Sequence, residues 1–580
     1  MSNKFETLTH NGPIFPEEYE VKGFKLAGES LPPLAEEMMW HYAAKRDTDY
    51  VKIDLFNKNF YKCLKPELTD NQKKVKFPEE YTDLINSMFD KNQELKEIKK
   101  AYNKDHKEDI ALEKEQMKEK YGFAELDGKR QPLGAYLIEG PGIIITRGES
   151  SIIGMWKYRT IPEDVTINYA SKDMSKAPKA PDGHSWKEVI SDKNSLQTVM
   201  YFVQIGRPEF GISPRYKRII FGAASSVKCA ADQKKFEKAR HLVSKWDEME
   251  SYIEAGLNSS DTKRKESALI AYLIQTTGIR VGNEKDENAG YAMNSVGAST
   301  LPAKSITLKD NSVISLSFIG KDSVPYTRDV EVKKSAYKAL KEVKSGKNDD
   351  DMLFSATSAD VAAFLKEFMP ECSPKLFRSA YGCKLISEEL KKAEKEGRLK
   401  KSMSQNEKLH VYDLANLEVA KKLNHQKAIS KNFDTQMEKL DEQIEKAIAK
   451  EATTKAKAEA DLKKILEQTS LAKKEWEGEK LTEALARIKE RKDKIQIRVE
   501  KAEARINDLK TKKDFKGMTA NYALGTSRTN YSTPALAVAF CKKFDIDVGK
   551  IYSKTLLKKF EWALDTPVSY YDNFPEESID

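Results

Sequence analysis

The sequence predicts an α+β chain of several domains, and three observations carry that expectation. Short apolar segments bounded by Gly and Pro recur up to about residue 220, as strands of small sheets do. From Ala268, Leu269, Ala271, Tyr272 and Leu273 onward the apolar spacing changes to a helical period. Between Asp434 and Lys513 there is no proline and one glycine, Gly478, with charges of both signs at close to every second position. At 580 residues and 39% apolar content the chain has material for more than one buried core.

In order along the chain, residues 1 to about 85 mix turn signals (Asn11-Gly12-Pro13, Pro32-Pro33) with an amphipathic stretch from Pro33 to Ala44 and an aromatic one from Phe56 to Tyr61. A charge-dense helical pattern follows from about Tyr81 to Tyr121 and reads as a solvated surface. Leu137 to Gly148 is an extended apolar run ending in Arg147, and Lys157 to Arg159 form a basic loop that could grip phosphates or simply be exposed charge. Further short strands are expected at Val165 to Tyr169 and Thr198 to Ile205. Between Ser213 and Trp246 nine Lys or Arg face two acids, the local footprint of a protein that holds a polyanion by its phosphates. A domain boundary is placed near residue 225.

The helix ending at Thr277-Gly278 leads into GIRVGNEKDE, then a β pair, Ser305 to Leu308 and Val313 to Ile319, turning at Asp310-Asn311. The chain returns through Val324 to Val332 after Gly320-Lys321-Asp322-Ser323. A helix from Ala359 to Phe368, the segment Lys375-Leu376-Phe377-Arg378, a polar insertion near 391 to 407 and a helix ending in Leu423-Asn424-His425 complete this region. In the charged stretch, Leu481, Leu485, Ile488, Lys492, Ile495, Val499, Ala502, Ile506 and Leu509 alternate steps of four and three, the seam of a coiled coil broken by Lys492. Met437, Leu440, Ile444 and Ala447 offer it a partner, so an antiparallel helical hairpin is expected. Such a hairpin returns residue 514 to the neighbourhood of residue 433 and delivers Tyr531 to the domain holding His425.

Composition narrows the function classes. Lys plus Arg exceed Asp plus Glu by 100 to 91, a net charge of +9, so partners depend on where the basic residues cluster. Five scattered cysteines without a two-residue spacing argue for a reducing compartment and no structural metal. No apolar run is long enough to span a membrane, and the N-terminus lacks a signal-peptide core.

Arg280, Lys321, Arg378, His425 and Tyr531 together supply what cleavage of a phosphodiester by a protein nucleophile requires. Two guanidiniums and an imidazole can hydrogen-bond the extra negative charge of a phosphorane-like transition state. A free tyrosine, with a pKa near ~10, is a weak nucleophile at neutral pH, and the same cations ease loss of its proton. A lysine at a hairpin tip can protonate the leaving 5′ oxygen. No carboxylate cluster for paired magnesium ions and no glycine-rich nucleotide loop stands out, which favours a reaction without metal, cofactor or ATP.

The motifs NGPIF, KNFYK, GPGIIITRG, GMWKYRTIPEDVTIN, GHSWKEV, GIRVGNEKDE, FIGKDS, KLFRSAY, LNHQKA, ALGTSRTNY, CKKF and KIYSKTLLKKFEWALD resemble those of the eukaryotic-type type IB DNA topoisomerases over essentially the whole chain. The resemblance assigns the catalytic arginine of the RxGNEK motif to Arg280, the GKDS lysine to Lys321, the FR arginine to Arg378, the NHQ histidine to His425 and the nucleophile to Tyr531. It implies a bipartite clamp on double-stranded DNA: a mixed α/β cap (residues 1 to 225), a mainly α catalytic lobe with a β-hairpin sheet (226 to 430), a coiled-coil linker (431 to 513) and a small α-helical C-terminal domain (514 to 580). DNA contacts are implied at Arg147, Lys157, Arg159, Asp322, Asn530 and Lys375. Arg147, Asp322 and Asn530 match positions where camptothecin-type poisons bind. A monomer is implied, away from membranes and in a nucleus, or in a viral replication compartment or virion if virus-encoded.

Two departures qualify the match. A long lysine-rich N-terminal extension common in the family is not found ahead of NGPIF, which weakens the expectation of nuclear targeting. Ile145 stands where an arginine is common two residues before Arg147, which puts one DNA contact in doubt. Two other classes stay open: a site-specific tyrosine recombinase, which uses a similar residue set, and a DNA-binding scaffold with a decayed site. The hairpin before the tyrosine argues against the first and the intact five residues against the second.

Overall fold

The computed structural model describes residues 4–146, 150–282, 296–320, 324–430 and 432–576. About 57% of it is helical, with several small sheets, an α+β architecture of more than one unit. Residues Met1–Phe377 and Val548–Pro567 form one compact unit, and Arg378–Asp547 with Val568–Asp580 form another.

In the first unit the helices Pro33–Ala43 and Asp54–Leu64 bury Met38, Met39, Phe56, Phe60 and Trp156 in one core. A four-stranded sheet runs in the order Arg215–Ile220, Gln197–Val203, Val165–Asn168, Glu188–Ile190 and closes a second core over Val165, Ile167, Val199 and Ile219. The charge-dense stretch forms two helices, Thr82–Asp105 and Lys107–Tyr121, broken at His106. The second of these buries no residue, as its composition predicts. Among the described residues of the extended apolar run, Gly142–Ile143 joins a ladder, against Trp156–Lys157.

Helix Ser226–Ser244 starts at Ser225, whose hydroxyl accepts from the Lys228 amide, and Thr262–Thr277 starts at Asp261, whose carboxylate accepts from the Arg264 amide. The latter stops at Gly278, which takes the left-handed conformation (φ 69°) that ends helices. The expected β pair is a three-stranded antiparallel meander, Ile306–Lys309, Val313–Ile319 and Pro325–Glu331, whose first turn has positive φ at Asn311 and Ser312. Residues 548–567 lie in this unit: Lys559 Nζ pairs with Asp232 at 2.9 Å, and Trp562 stacks on Phe236. That placement interrupts the continuous stretch 514 to 580 expected as one C-terminal piece.

The second unit is built on the helix Pro374–Lys395, from Arg378 onward, and on Gln405–Lys422. The first of these extends into the stretch expected as a polar insertion, because 391–395 keep helix-forming Lys, Ala and Glu. Tyr412, Phe540, Phe544 and Tyr571 form an aromatic core. Lys543 beside it pairs with Glu394 and Asp572.

The charged stretch is a helical hairpin, Phe433–Glu475 and Gly478–Met518, turning at Trp476 and Glu477. Lys455 pairs with Glu503, Arg491 with Gln468, and Arg498 with Asp461, so position numbers fall on one helix as they rise on the other, the mark of antiparallel packing. Leu481, Leu485, Ile488, Ile495, Val499, Ala502, Ile506 and Leu509 are buried or half-buried, and Lys492 is exposed. Among the described residues no helix is long and apolar enough to cross a membrane.

Candidate active site

Three of the expected residues meet in the second unit. Arg378 Nη1 donates to Tyr531 Oη at 3.0 Å, while Nη2 donates to the Leu423 carbonyl at 3.0 Å. The His425 ring packs on the Tyr531 ring with centroids 4.9 Å apart, and the Arg378 guanidinium carbon lies 5.0 Å from the same centroid. All three are buried, Arg378 to 5% exposure, His425 to 6% and Tyr531 to 7%, so water does little to weaken these contacts. The planar guanidinium uses one prong to anchor itself and the other to address the phenol.

Local sequence explains each placement. Helix Gln405–Lys422 ends in a paired cap: the Asn424 amide donates to the Lys421 carbonyl and the His425 amide to the Ala420 carbonyl at 2.8 Å. Asn424 has φ 53°, a conformation asparagine tolerates better than most residues, so the cap turns the chain sharply and aims the next residue, His425. The His425 carbonyl then accepts from the Ala523 amide at 2.7 Å, and the Lys427 amide donates to the Asn521 carbonyl at 2.8 Å. This short antiparallel bridge delivers the chain leaving the hairpin to the histidine.

Tyr531 closes a π-helical turn, Ser527–Tyr531, whose wide ring is shut by the Ser532 amide on the Ser527 carbonyl at 3.0 Å. Such turns recur at functional sites because they re-aim a side chain. Helix Pro374–Lys395 approaches this turn closely at Gly382, where a Cβ would stand 2.5 Å from the Tyr531 carbonyl oxygen. Cys383 Sγ lies 3.5 Å from that oxygen. Arg378 and Gly382 are four residues apart, so one helix face offers both the cation and the space. Gly382 is not among the residues expected from the sequence, because its role lies in a close approach that only the folded chain defines.

Arg280 is exposed in the first unit, where its carbonyl accepts from the Ala298 amide at 2.8 Å. Gly282 nearby has φ 85° and leaves no room for a Cβ, which would meet Thr300 Oγ1 at 2.8 Å. Lys375 is exposed at the start of its helix, in the first unit, and Asn530 is exposed beside Tyr531. Arg147, Lys321 and Asp322 lie outside the described residues.

Lys157 pairs with Glu139 at 3.2 Å, and Arg159 is held by the Pro16 and Glu17 carbonyls and by Glu37 at 2.9 Å. Lys157 also lines a cavity of about 320 Å³ together with His41, Lys45, Glu139, Ile145 and Lys217. Burial, then the charges of Lys45, Lys157 and Arg159, push the His41 imidazole down to about 4. Among the described residues no cluster of His, Cys, Asp or Glu is arranged to hold a metal.

Three family models match the chain. They describe the eukaryotic DNA topoisomerase I DNA-binding fragment over residues 3–207, the catalytic core of the same enzyme over 224–459, and a C-terminal topoisomerase domain over 503–571. DNA topoisomerase 1 alpha of Arabidopsis thaliana is 32% identical over 98% of the chain, which spans 59% of that protein. DNA topoisomerase I, mitochondrial, of Rattus norvegicus is 31% identical over 97% of the chain and 91% of its own length. DNA topoisomerase 1 of Homo sapiens is 30% identical over 98% of the chain and 72% of its own length.

Proposed function

The chain belongs to the eukaryotic DNA topoisomerase I family, and from that membership we propose that it relaxes supercoiled double-stranded DNA as a monomeric type IB enzyme. The observation that carries this reading is the hydrogen bond from Arg378 to the hydroxyl of Tyr531 with His425 against its ring.

Tyr531 Oη attacks the phosphorus of one strand and forms a phosphotyrosyl ester at the 3′ end. The bond from phosphorus to the 5′ oxygen breaks, the 5′ oxygen takes a proton from Lys321, and the phenolic proton leaves to solvent. Arg378, His425 and Arg280 donate to the nonbridging oxygens as negative charge grows there. The broken strand rotates about its intact partner, and attack of the 5′ hydroxyl on the ester reverses the step. The ester conserves the bond energy, so ATP has no part in the cycle.

Lys157, which lines the basic cavity of the first unit, and the exposed Lys375 and Asn530 are the DNA contacts this reading assigns. Contacts of this kind hold backbone and read little sequence. The reading is tested with supercoiled plasmid in EDTA, without ATP, beside Tyr531→Phe. Relaxation by the wild type alone supports it; equal relaxation by both proteins, or a requirement for magnesium, contradicts it.

A further inference from the structure

The π-helical turn that presents Tyr531 is gripped from outside the catalytic set. Asp413 and Asn416 lie three residues apart on helix Gln405–Lys422, so both face the same direction. Asn416, fully buried, donates through Nδ2 to the Leu524 carbonyl at 3.2 Å, at the start of the tyrosine segment. Asp413 Oδ1 accepts from Arg528 Nη2, inside the π-helical turn and three residues before Tyr531. The Arg528 guanidinium also stands 6.0 Å from the ring of Tyr412, which packs on Phe540 in the helix after the tyrosine. Seven residues further along the same helical face, the Ala420 carbonyl receives the His425 amide, and the Leu423 carbonyl beyond it anchors Arg378.

A single helix therefore holds the tyrosine turn at its middle and the histidine and arginine at its C-terminal end. A π-helical turn is one residue wider than an α-helical turn and rare, and contraction to an α-helical turn would rotate Tyr531, the residue that closes it. We infer that the half-buried Asp413–Arg528 ion pair is a positioning device that keeps this turn open and so sets the chemical step. Neither residue needs to touch DNA in this role. The inference rests on Tyr531 as the nucleophile.

The test compares wild type, Asp413→Asn, Arg528→Gln and the exchange Asp413→Arg with Arg528→Asp in the full chain. Three quantities are measured: DNA affinity, single-turnover formation of the covalent complex on a duplex that cannot religate, and thermal unfolding. Both single variants are expected to cleave on the order of tenfold more slowly or worse, as a displaced reacting group does, with DNA affinity held within about twofold. The exchange is expected to recover most of the rate, and thermal unfolding of the single variants close to that of wild type separates a positioning role from loss of the fold. Cleavage within about twofold of wild type in both single variants overturns the inference while leaving Tyr531 in place. So does a loss of affinity confined to Arg528→Gln, which would make that residue a phosphate contact. A wild type that forms no covalent complex fails the nucleophile assignment and the inference with it.

Discussion

Gly382→Ala separates geometry from chemistry, because it adds one methyl group and changes no charge. That methyl would sit 2.5 Å from the Tyr531 carbonyl oxygen and 3.0 Å from the Tyr531 Cβ. Carbon contacts settle near ~3.5–4.0 Å, so the tyrosine turn must retreat by on the order of 1 Å. Arg378 does not retreat with it, being on the same rigid helix as the new methyl, so its 3.0 Å hydrogen bond to Oη opens beyond bonding distance. Displacing a reacting group by about 1 Å costs on the order of a hundredfold in rate, or about 2.7 kcal/mol of barrier. Stability moves much less, since overpacking costs roughly 1–3 kcal/mol while replacing a helical glycine by alanine returns about 1 kcal/mol. Single-turnover formation of the covalent complex, measured beside Tm and DNA affinity, reads both effects. A cleavage rate within about threefold of wild type would refute the close approach as a constraint on the nucleophile.

Arg378→Lys keeps the charge but cannot serve Tyr531 and Leu423 at once; cleavage is expected to fall roughly a hundredfold with DNA affinity little changed, measured on the same substrate. Asn424→Ala forces alanine into a left-handed position ahead of His425 and is expected to cost about 1 kcal/mol of stability, whereas Asn424→Gly should be nearly neutral, both read by denaturant unfolding. His41 gives the first unit a pH dependence. Because burial and neighbouring cations hold its folded value at about 4, below the ordinary value of 6.5, the unfolded chain takes up the proton first. Its contribution is complete above about pH 6.5 and is lost as pH falls toward about 4, by up to roughly 3 kcal/mol, and His41→Gln should flatten that part of the unfolding profile.

Much of this architecture is legible in the sequence where a repeating pattern decides structure. The steps of four and three from Leu481 to Leu509 mark the side chains that the hairpin covers, and the lone mismatch, Lys492, is exposed. The hairpin turn could not be placed, because Trp476 and Glu477 interrupt no composition and Gly478 alone marks the bend. The break at His106 is hidden for the same reason: helix formers flank it on both sides.

At the site, Tyr531, Arg378 and His425 are legible as chemical types, and the structure brings these three together. Gly382, the left-handed Asn424 and the Asp413–Arg528 pair are not legible, because each acts through a close approach or backbone angle that only the folded chain defines. The return of residues 548–567 to the first unit is likewise a long-range packing choice. It rests on Lys559 with Asp232 and Trp562 with Phe236, more than 300 positions apart in the chain.

The central claim, that Tyr531 becomes joined to a 3′ phosphate, is tested most directly by trapping the covalent complex on a duplex that cannot religate and mapping the modified peptide by mass spectrometry. The adduct is predicted on the tyrosine of the Ser527–Tyr531 turn, with the 5′ hydroxyl free on the released strand. An adduct on any other residue, or a phosphate left on the 5′ side of the break, would contradict it.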